Sequence, residues 1–389
     1  ELVAGPYCAK LLADLGAEII KIEPPGSGDE ARKRGPFPND IPHPEKSALF
    51  LYLNTNKFGI SLDPESPTGK EVFKRLVKEA DILVHDKAPQ RIAWLGLDYE
   101  TLREINPRLI MVSVTPFGQT GPHADWKAYP LNIVHAGMLG YLTPWVSRWP
   151  DREPLQPGGM IGEYGSGLSA ATATLAALFG ERMTGKGQHV DVSKQEAVIA
   201  LNRVNAPQFP NDGKSDTRFE NMSGLLGALI PCKDGHVVFQ INETHHWRGF
   251  VQLIGNPEWA QDPVYLNGFE RGKRFETEIK PRVIEWARDY TKEELYRKGQ
   301  AANCPFAMVM SAEDVVKSEH LNERGFFVET VHPAVGKIKH PGAPFKMSET
   351  PWKIERPAPL LGEHNERVYC ERLGYTKQDL AVLRRAGVI

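Results

Sequence analysis

Through the first half of the chain, short runs rich in β-branched residues alternate with segments whose apolar positions recur at helical spacing. Residues 6–15 carry that helical spacing, and AEIIKIE (17–23) reads as a strand. KFGISLD (57–63) predicts a second strand that ends before Pro64. In SPTGKEVFKRLVKEA, Ser66 stands where a helix cap is needed and Pro67 at the first helical position. Val72, Leu76 and Val77 make the apolar face of that helix. DILVHD and RLIMVSVTPFG continue as strands, 168–183 predicts a long helix, and HVDVS a strand after it. This alternation predicts an α/β fold: a Rossmann-like large domain with a parallel sheet and helices on both faces. No GxGxxG or GxxxxGK(S/T) turn follows any strand, so the phosphate loops of many nucleotide-binding folds are missing. The chain opens at what the pattern makes a strand end, so a leading strand is expected ahead of Glu1.

The character changes near residue 200. NAPQFPNDGKSDTRFENMSG reads as a long polar surface loop, and ALIPCKDGHVVFQI as an antiparallel hairpin with Asp234 and Gly235 at its turn. Helices are expected over 245–254 and 276–300. The division predicted is a large domain from 1–199, a smaller α+β domain from 200–325 and a return to the large domain over 326–389. No repeat at solenoid period is present.

Composition narrows the class. With 389 residues, 41% of them hydrophobic, the chain can bury a large core, and 35 glycines with 31 prolines suit a loop-rich enzyme. A formal net charge of −2 argues against a nucleic-acid or membrane partner through bulk electrostatics. No apolar run is long enough for a membrane helix and no signal-peptide pattern opens the sequence. Cys8, Cys232, Cys304 and Cys370 show neither CxxC pairing nor metal spacing and read as reduced thiols, as in a cytoplasmic protein. His245 and His246 lack a Cys or carboxylate at ligand spacing, so no metal site is expected.

The chemistry-bearing stretch is GGMIGEYGSGLSAATATLAAL, in which Glu163 stands among glycines just ahead of a long apolar segment. An acid there either decorates a helix N-terminus, where it is favoured by about 0.3–1 kcal/mol, or is a reacting group. Composition alone favours the first reading.

Several motifs, in order along nearly the whole chain, resemble the class III CoA-transferases. They are AGPYCAKLLADLGAEIIKIEPPGSGDEAR, NTNKFGISLD, LGLDYETLREINPRLIMVSVTPFGQTGP, TGKGQHVDVS and LLGEHNERV. That family includes carnitine–CoA and formyl-CoA transferases and α-methylacyl-CoA racemases. The resemblance implies a large domain built from both chain ends, a small domain between them, and a homodimer whose subunits interlock like chain links. It implies coenzyme A as co-substrate, no metal, and a carboxylate at the start of the long helix as covalent carrier. In the transferases that carboxylate is an aspartate in a Gly-Asp-x-x-x-Gly pattern; here the place reads Gly162-Glu163-Tyr164-Gly165-Ser166-Gly167. The extra methylene moves the oxygens by over about 1 Å, a displacement that can cost on the order of 10²-fold unless the pocket shifts to match.

Arg32, Lys57 and Lys127 match basic residues that hold CoA in relatives, with Arg32 nearest the phosphates. Each also has an ordinary reading as a solvated surface charge. The loop HDKAPQRIAWLG carries Lys87 where an aromatic is usual and Trp94 where a base often stands, with Arg91 placed to compensate. Gly162, Gly165 and Gly167 are expected in the active-site loop, letting backbone and CoA approach closely. Tyr129 stands nearest the place of the racemase histidine and is a candidate catalytic residue. His135 lies close by, in AYPLNIVHAG, where a packed histidine is the plain alternative. The glycine lid of formyl-CoA transferases is reduced to Ser223-Gly224, which argues against formate or oxalate as substrates. Trp126, Tyr129 and Trp145 hint at a larger acid. His364, in LGEHN, is expected to be structural. Three functions follow from the resemblance: a transferase working through Glu163, a non-catalytic CoA-binding subunit of a heteromer, and a racemase or isomerase of acyl-CoA.

Overall fold

The computed structural model describes residues 1–144, 152–215 and 227–389. The chain divides into two compact units, Glu1–Arg218 with Gly325–Ile389, and Phe219–Arg324. Trp145, Ser223 and Gly224 lie outside the described residues.

In the first unit the alternating segments become parallel strands in two hydrogen-bonded sets, where the sequence pattern predicted one sheet. β1 (Ile19–Glu23) pairs with β2 (Lys57–Ser61), Ile19 opposite Lys57 and Glu23 opposite Ser61. β3 (Ile82–His85), β4 (Ile110–Thr115) and β5 (His189–Ser193) form the other set, with β4 central. β4 is buried at every position, Ser113 and Thr115 included, as a strand covered on two faces is. Ile110, Val112 and Val114 join the core with helix α1 (Ala4–Ala13), while Met111 joins a second core with α2 (Pro67–Glu79). Ser66 caps α2 as its position predicts, its Oγ accepting from the Gly69 N–H at 3.1 Å.

Residues from the chain's other end finish the edge of β2. Asn365 accepts from the Ser61 N–H at 3.0 Å, Tyr369 donates to the Ser61 carbonyl at 2.7 Å, and His364 Nδ1 accepts from the Gly59 N–H at 3.2 Å. Side chains thus take the bonds that a further strand would take.

A chain of side-chain hydrogen bonds crosses β3, β4 and β5. The Lys87 N–H donates to His85 Nδ1 at 3.1 Å, which puts the ring proton on Nε2 and makes it a donor to Ser113 Oγ at 2.6 Å. The Ser113 hydroxyl then donates to His189 Nε2 at 2.8 Å. Burial pushes His85 down to about 4 against the opposing charge of Asp86, and burial with nearby Lys10 and His332 does the same to His340. Both rings are neutral when folded and gain a proton more readily when unfolded. Their contribution to stability is therefore complete above about pH 6.5 and is lost as pH falls toward about 4. Calorimetric midpoints are expected to fall between pH 7 and pH 5, and less steeply when His85 and His340 are both replaced by Gln.

The second unit has an antiparallel sheet of β6 (Gly227–Cys232), β7 (Gly235–Gln240) and β8 (Phe306–Met308). The hairpin closes with Cys232 opposite Gly235, so its turn is Lys233-Asp234, one residue earlier than expected. Phe239, Trp247, Phe250 and Phe306 centre the core. The single helix expected over 276–300 is broken. It ends near Ala287, and a new one, Lys292–Ala301, starts from a reciprocal cap between Thr291 and Glu294. Among the described residues no helix is long and apolar enough to cross a membrane.

Two more antiparallel strands, β9 (Phe327–His332) and β10 (Gly336–Pro341), return to the first unit.

Candidate active site

The site is built at the carboxyl ends of β3, β4 and β5, the place where open α/β sheets hold their ligands. Three helices define it: α3 (Pro130–Ala136), α4 (Ile161–Thr184) and α5 (Lys194–Leu201). The helix α4 begins seven residues earlier than the sequence pattern predicts, so Gly162, Gly165 and Gly167 are helical and not part of a loop. Their role is close helix packing. A Cβ on Gly162 would meet Val198 of α5 at 3.1 Å and Val134 of α3 at 3.3 Å, and one on Gly167 would lie 2.6 Å from the Ala4 carbonyl oxygen of α1. The cost of glycine in a helix, about 1 kcal/mol each, is offset by that packing. Buried within the helix, the Ser166 and Thr174 hydroxyls are satisfied by donating to carbonyls four residues back at 2.7 and 2.6 Å.

Glu163 lies in the first turn of α4 and is 5% exposed. Its carboxylate does not simply decorate the helix end. Both oxygens contact Lys194 Nζ, Oε1 at 3.0 Å and Oε2 at 2.8 Å. Lys194 is the first residue of α5, directly after β5, and Ser193 fixes that helix start by accepting from the Glu196 N–H at 3.2 Å. The helix N-terminus adds a positive field at the carboxylate. The strand β5 was legible to its last residue, yet the lysine that follows it was not singled out; its place at a strand's carboxyl end was the available signal.

Other expected site residues separate into buried and exposed groups. Arg32 is buried, and each of its guanidinium N–H groups has a protein acceptor. Nε and Nη2 reach Glu23 at 2.7 and 2.9 Å, Nη1 reaches Glu45 at 2.6 Å and the Pro44 carbonyl at 3.4 Å, and Nη2 also reaches the Pro359 carbonyl at 3.0 Å. The Phe50 ring stacks on the same group at 3.6 Å. Lys57 is equally committed, donating to the Pro6 and Leu53 carbonyls at 2.8 Å each and to Asn54 Oδ1 at 3.0 Å. Burial, with Lys21 and Lys10 nearby, holds it well below the ordinary lysine range. Neither side chain offers a free donor to a phosphate.

Arg91, Lys127 and Tyr129 face solvent. Tyr129 is 71% exposed and opens α3, its N–H donating to Asn132 Oδ1 at 2.9 Å. Arg91 pairs with Glu65 and stacks on exposed Trp94 at 4.4 Å. Trp126 stacks on His123 with ring centres 3.8 Å apart. The Gln90 N–H donates to Asp125 at 3.0 Å, tying the segment of Arg91 and Trp94 to that of Trp126 and Lys127. Cations and flat aromatic faces are thereby gathered on adjoining surface segments after β3 and β4. His135 is half-buried on α3, packed where a Cβ on Gly140 would collide with its ring. Among the described residues no group of three or more metal-ligating side chains occurs.

Residues 1–365 match the model for "CoA-transferase family III". The chain is 33% identical to a formyl-CoA:oxalate CoA-transferase of Streptomyces avermitilis, an alignment covering 99% of this chain and 96% of that one. It is 31% identical to a succinyl-CoA–D-citramalate CoA-transferase of Chloroflexus aurantiacus, over 100% of this chain and 95% of the other. A solved CAIB/BAIF family protein from Brucella suis superposes with a TM-score of 0.84 at 27% identity, covering 95% of this chain and 96% of that structure. The chain belongs to CoA-transferase family III.

Proposed function

We propose that this protein moves coenzyme A from an acyl-CoA donor to a free carboxylic acid, with Glu163 as covalent carrier. The observation that carries this reading is a buried, ion-paired carboxylate in the first turn of α4, at the place of the family's nucleophile. A glutamate oxygen attacks the thioester carbonyl, the carbon–sulfur bond breaks, and the electron pair leaves on the CoA thiolate. The resulting acyl-glutamyl anhydride is attacked by that thiolate at the glutamyl carbonyl, giving a glutamyl-CoA thioester and the donor's free acid. The acceptor carboxylate displaces the thiolate to form a new anhydride. Attack of the thiolate on the acceptor's carbonyl then yields the new acyl-CoA and regenerates Glu163. No water and no redox partner enter. Binding and dry placement, rather than a general base, are what the site must supply.

Arg91 and Lys127 are the phosphate anchors in this reading, and Trp94 and Trp126 the platforms for the adenine end of CoA. Their exposure and grouping support this, whereas the donors of Arg32 and Lys57 are spent inside the protein. Replacing Arg91 and Lys127 by Ala is expected to raise KM for the acyl-CoA by about tenfold or more with kcat little changed, the signature of lost uniform binding. The relatives act on different acids by name, so the acid is not transferred by likeness. The assembly proposed is an interlocked homodimer. Leu168, Leu175, Phe179 and Met183 support it as an exposed apolar stripe along α4, with Phe179 and Met183 72% and 74% exposed.

Initial-rate kinetics with donor and acceptor varied together test the reaction class. Parallel double-reciprocal lines are expected for the ping-pong route. Exchange of the donor's α-proton with solvent, without any acceptor acid, would place the protein with the racemases instead.

A further inference from the structure

We propose that Lys194 is a positioning residue that holds the longer glutamate in its reactive place and serves as counter-charge for the departing CoA thiolate. The inference rests on Glu163 being the covalent carrier. Three observations lead to it. Lys194 Nζ touches both oxygens of Glu163, at 3.0 and 2.8 Å, which holds the carboxylate in place at both oxygens. The lysine side chain is itself only 15% exposed, so the pair lies largely out of water. Its backbone is set by the Ser193 cap at the junction of β5 and α5, while Glu163 is set by helix packing against α3 and α5. The two charged ends therefore meet from two separately fixed elements.

A glutamate has one more rotatable bond than an aspartate, and freezing such side chains costs on the order of 1 kcal/mol or more. A two-point contact with an ammonium removes that freedom before substrate arrives. The pair also matches the flow of charge. When Glu163 attacks, its negative charge disappears into the anhydride and an equal charge appears on sulfur. An ammonium left alone in a poorly solvated site is costly; here the thiolate takes over as its partner, and at the glutamyl-CoA stage the carboxylate of the bound donor or acceptor acid does so. In this role Lys194 donates hydrogen bonds only. This is why Lys194 is a positioning and charge-balancing group and not a proton carrier.

The test is a double-mutant cycle on kcat and KM. Lys194→Gln removes the ammonium that contacts both oxygens of Glu163 and is expected to lower kcat about 10²-fold, the usual effect of losing one preorganised group. KM for the acyl-CoA should change less than about threefold, in keeping with loss of a transition-state contact alone. Lys194→Arg, which keeps the charge, should recover most of that loss. Glu163→Asp alone should cost on the order of 10²-fold. Made together with Lys194→Gln, it should add little, because both changes remove the same contact. Multiplying costs, an unchanged kcat in Lys194→Gln, or an effect confined to KM would each overturn the role of Lys194. Failure of the underlying reading has a different sign: full activity in Glu163→Gln would remove the carrier itself, whatever Lys194 does. Should Lys194→Gln not fold, Lys194→Met, which also removes the ammonium, paired with Glu163→Asp supplies the same cycle.

Discussion

Replacing Glu163 by Gln is expected to abolish transfer, lowering kcat by on the order of 10⁴–10⁶-fold, as removal of a covalent nucleophile does elsewhere. The amide has nearly the shape of the carboxylate but cannot form the acyl anhydride, and its nitrogen is not a leaving group that thiolate displaces. Binding of the acyl-CoA should survive, because the proposed anchors Arg91 and Lys127 lie on other segments. The loss should therefore fall on kcat, with KM within a few-fold of the parent. Lys194 loses its counter-charge in this variant, so the thermal midpoint should drop even though the chain still folds. A variant with normal turnover would return Glu163 to the role of helix-end acid, the reading composition alone favours.

Replacing Arg32 by Met is expected to destabilise the first unit by about 3–5 kcal/mol, the range for breaking one side of a buried ion pair. Glu23 is fully buried and receives two of the Arg32 bonds, so the change leaves its carboxylate with the Asp29 N–H but no counter-charge from Arg32, and Glu45 loses its charged partner as well. The neighbouring turn adds to the cost. Gly28 has a positive φ of 65°, and a Cβ there would press on the Arg32 side chain, so the loop is moulded to this guanidinium. Denaturant unfolding is the direct check, read alongside KM for acyl-CoA. A lower unfolding midpoint with near-normal KM is the expected result. An unchanged midpoint with a KM raised tenfold would make Arg32 the phosphate anchor that its motif implies.

How much of this could be read beforehand depended on whether the signal was local. The parallel strands and the cap at Ser66 were legible because alternation and cap chemistry are written over a few residues. The place of Glu163 was legible from its motif. Its partner was not, since Lys194 is 31 residues away and a lysine after a strand looks like any solvated charge. The start of α4 was misplaced because glycine is a poor helix former in isolation, whereas here close approach of α1, α3 and α5 requires it. Burial of Arg32 and Lys57 was hidden for a related reason. A basic residue in a ligand-binding motif reads as exposed, and only the packed neighbours Glu23, Glu45 and Pro359 show otherwise. The break before Thr291 was a missed local signal, because Thr291 and Glu294 form a recognisable capping pair.

The most direct measurement is the mass of the intact protein after brief exposure to a series of acyl-CoA donors without acceptor, followed by peptide mapping. A CoA adduct is expected on the peptide containing Glu163, discharged by an acceptor acid and missing from Glu163→Gln. Saturable binding of the same donors with no adduct at any residue would rule out covalent transfer through Glu163.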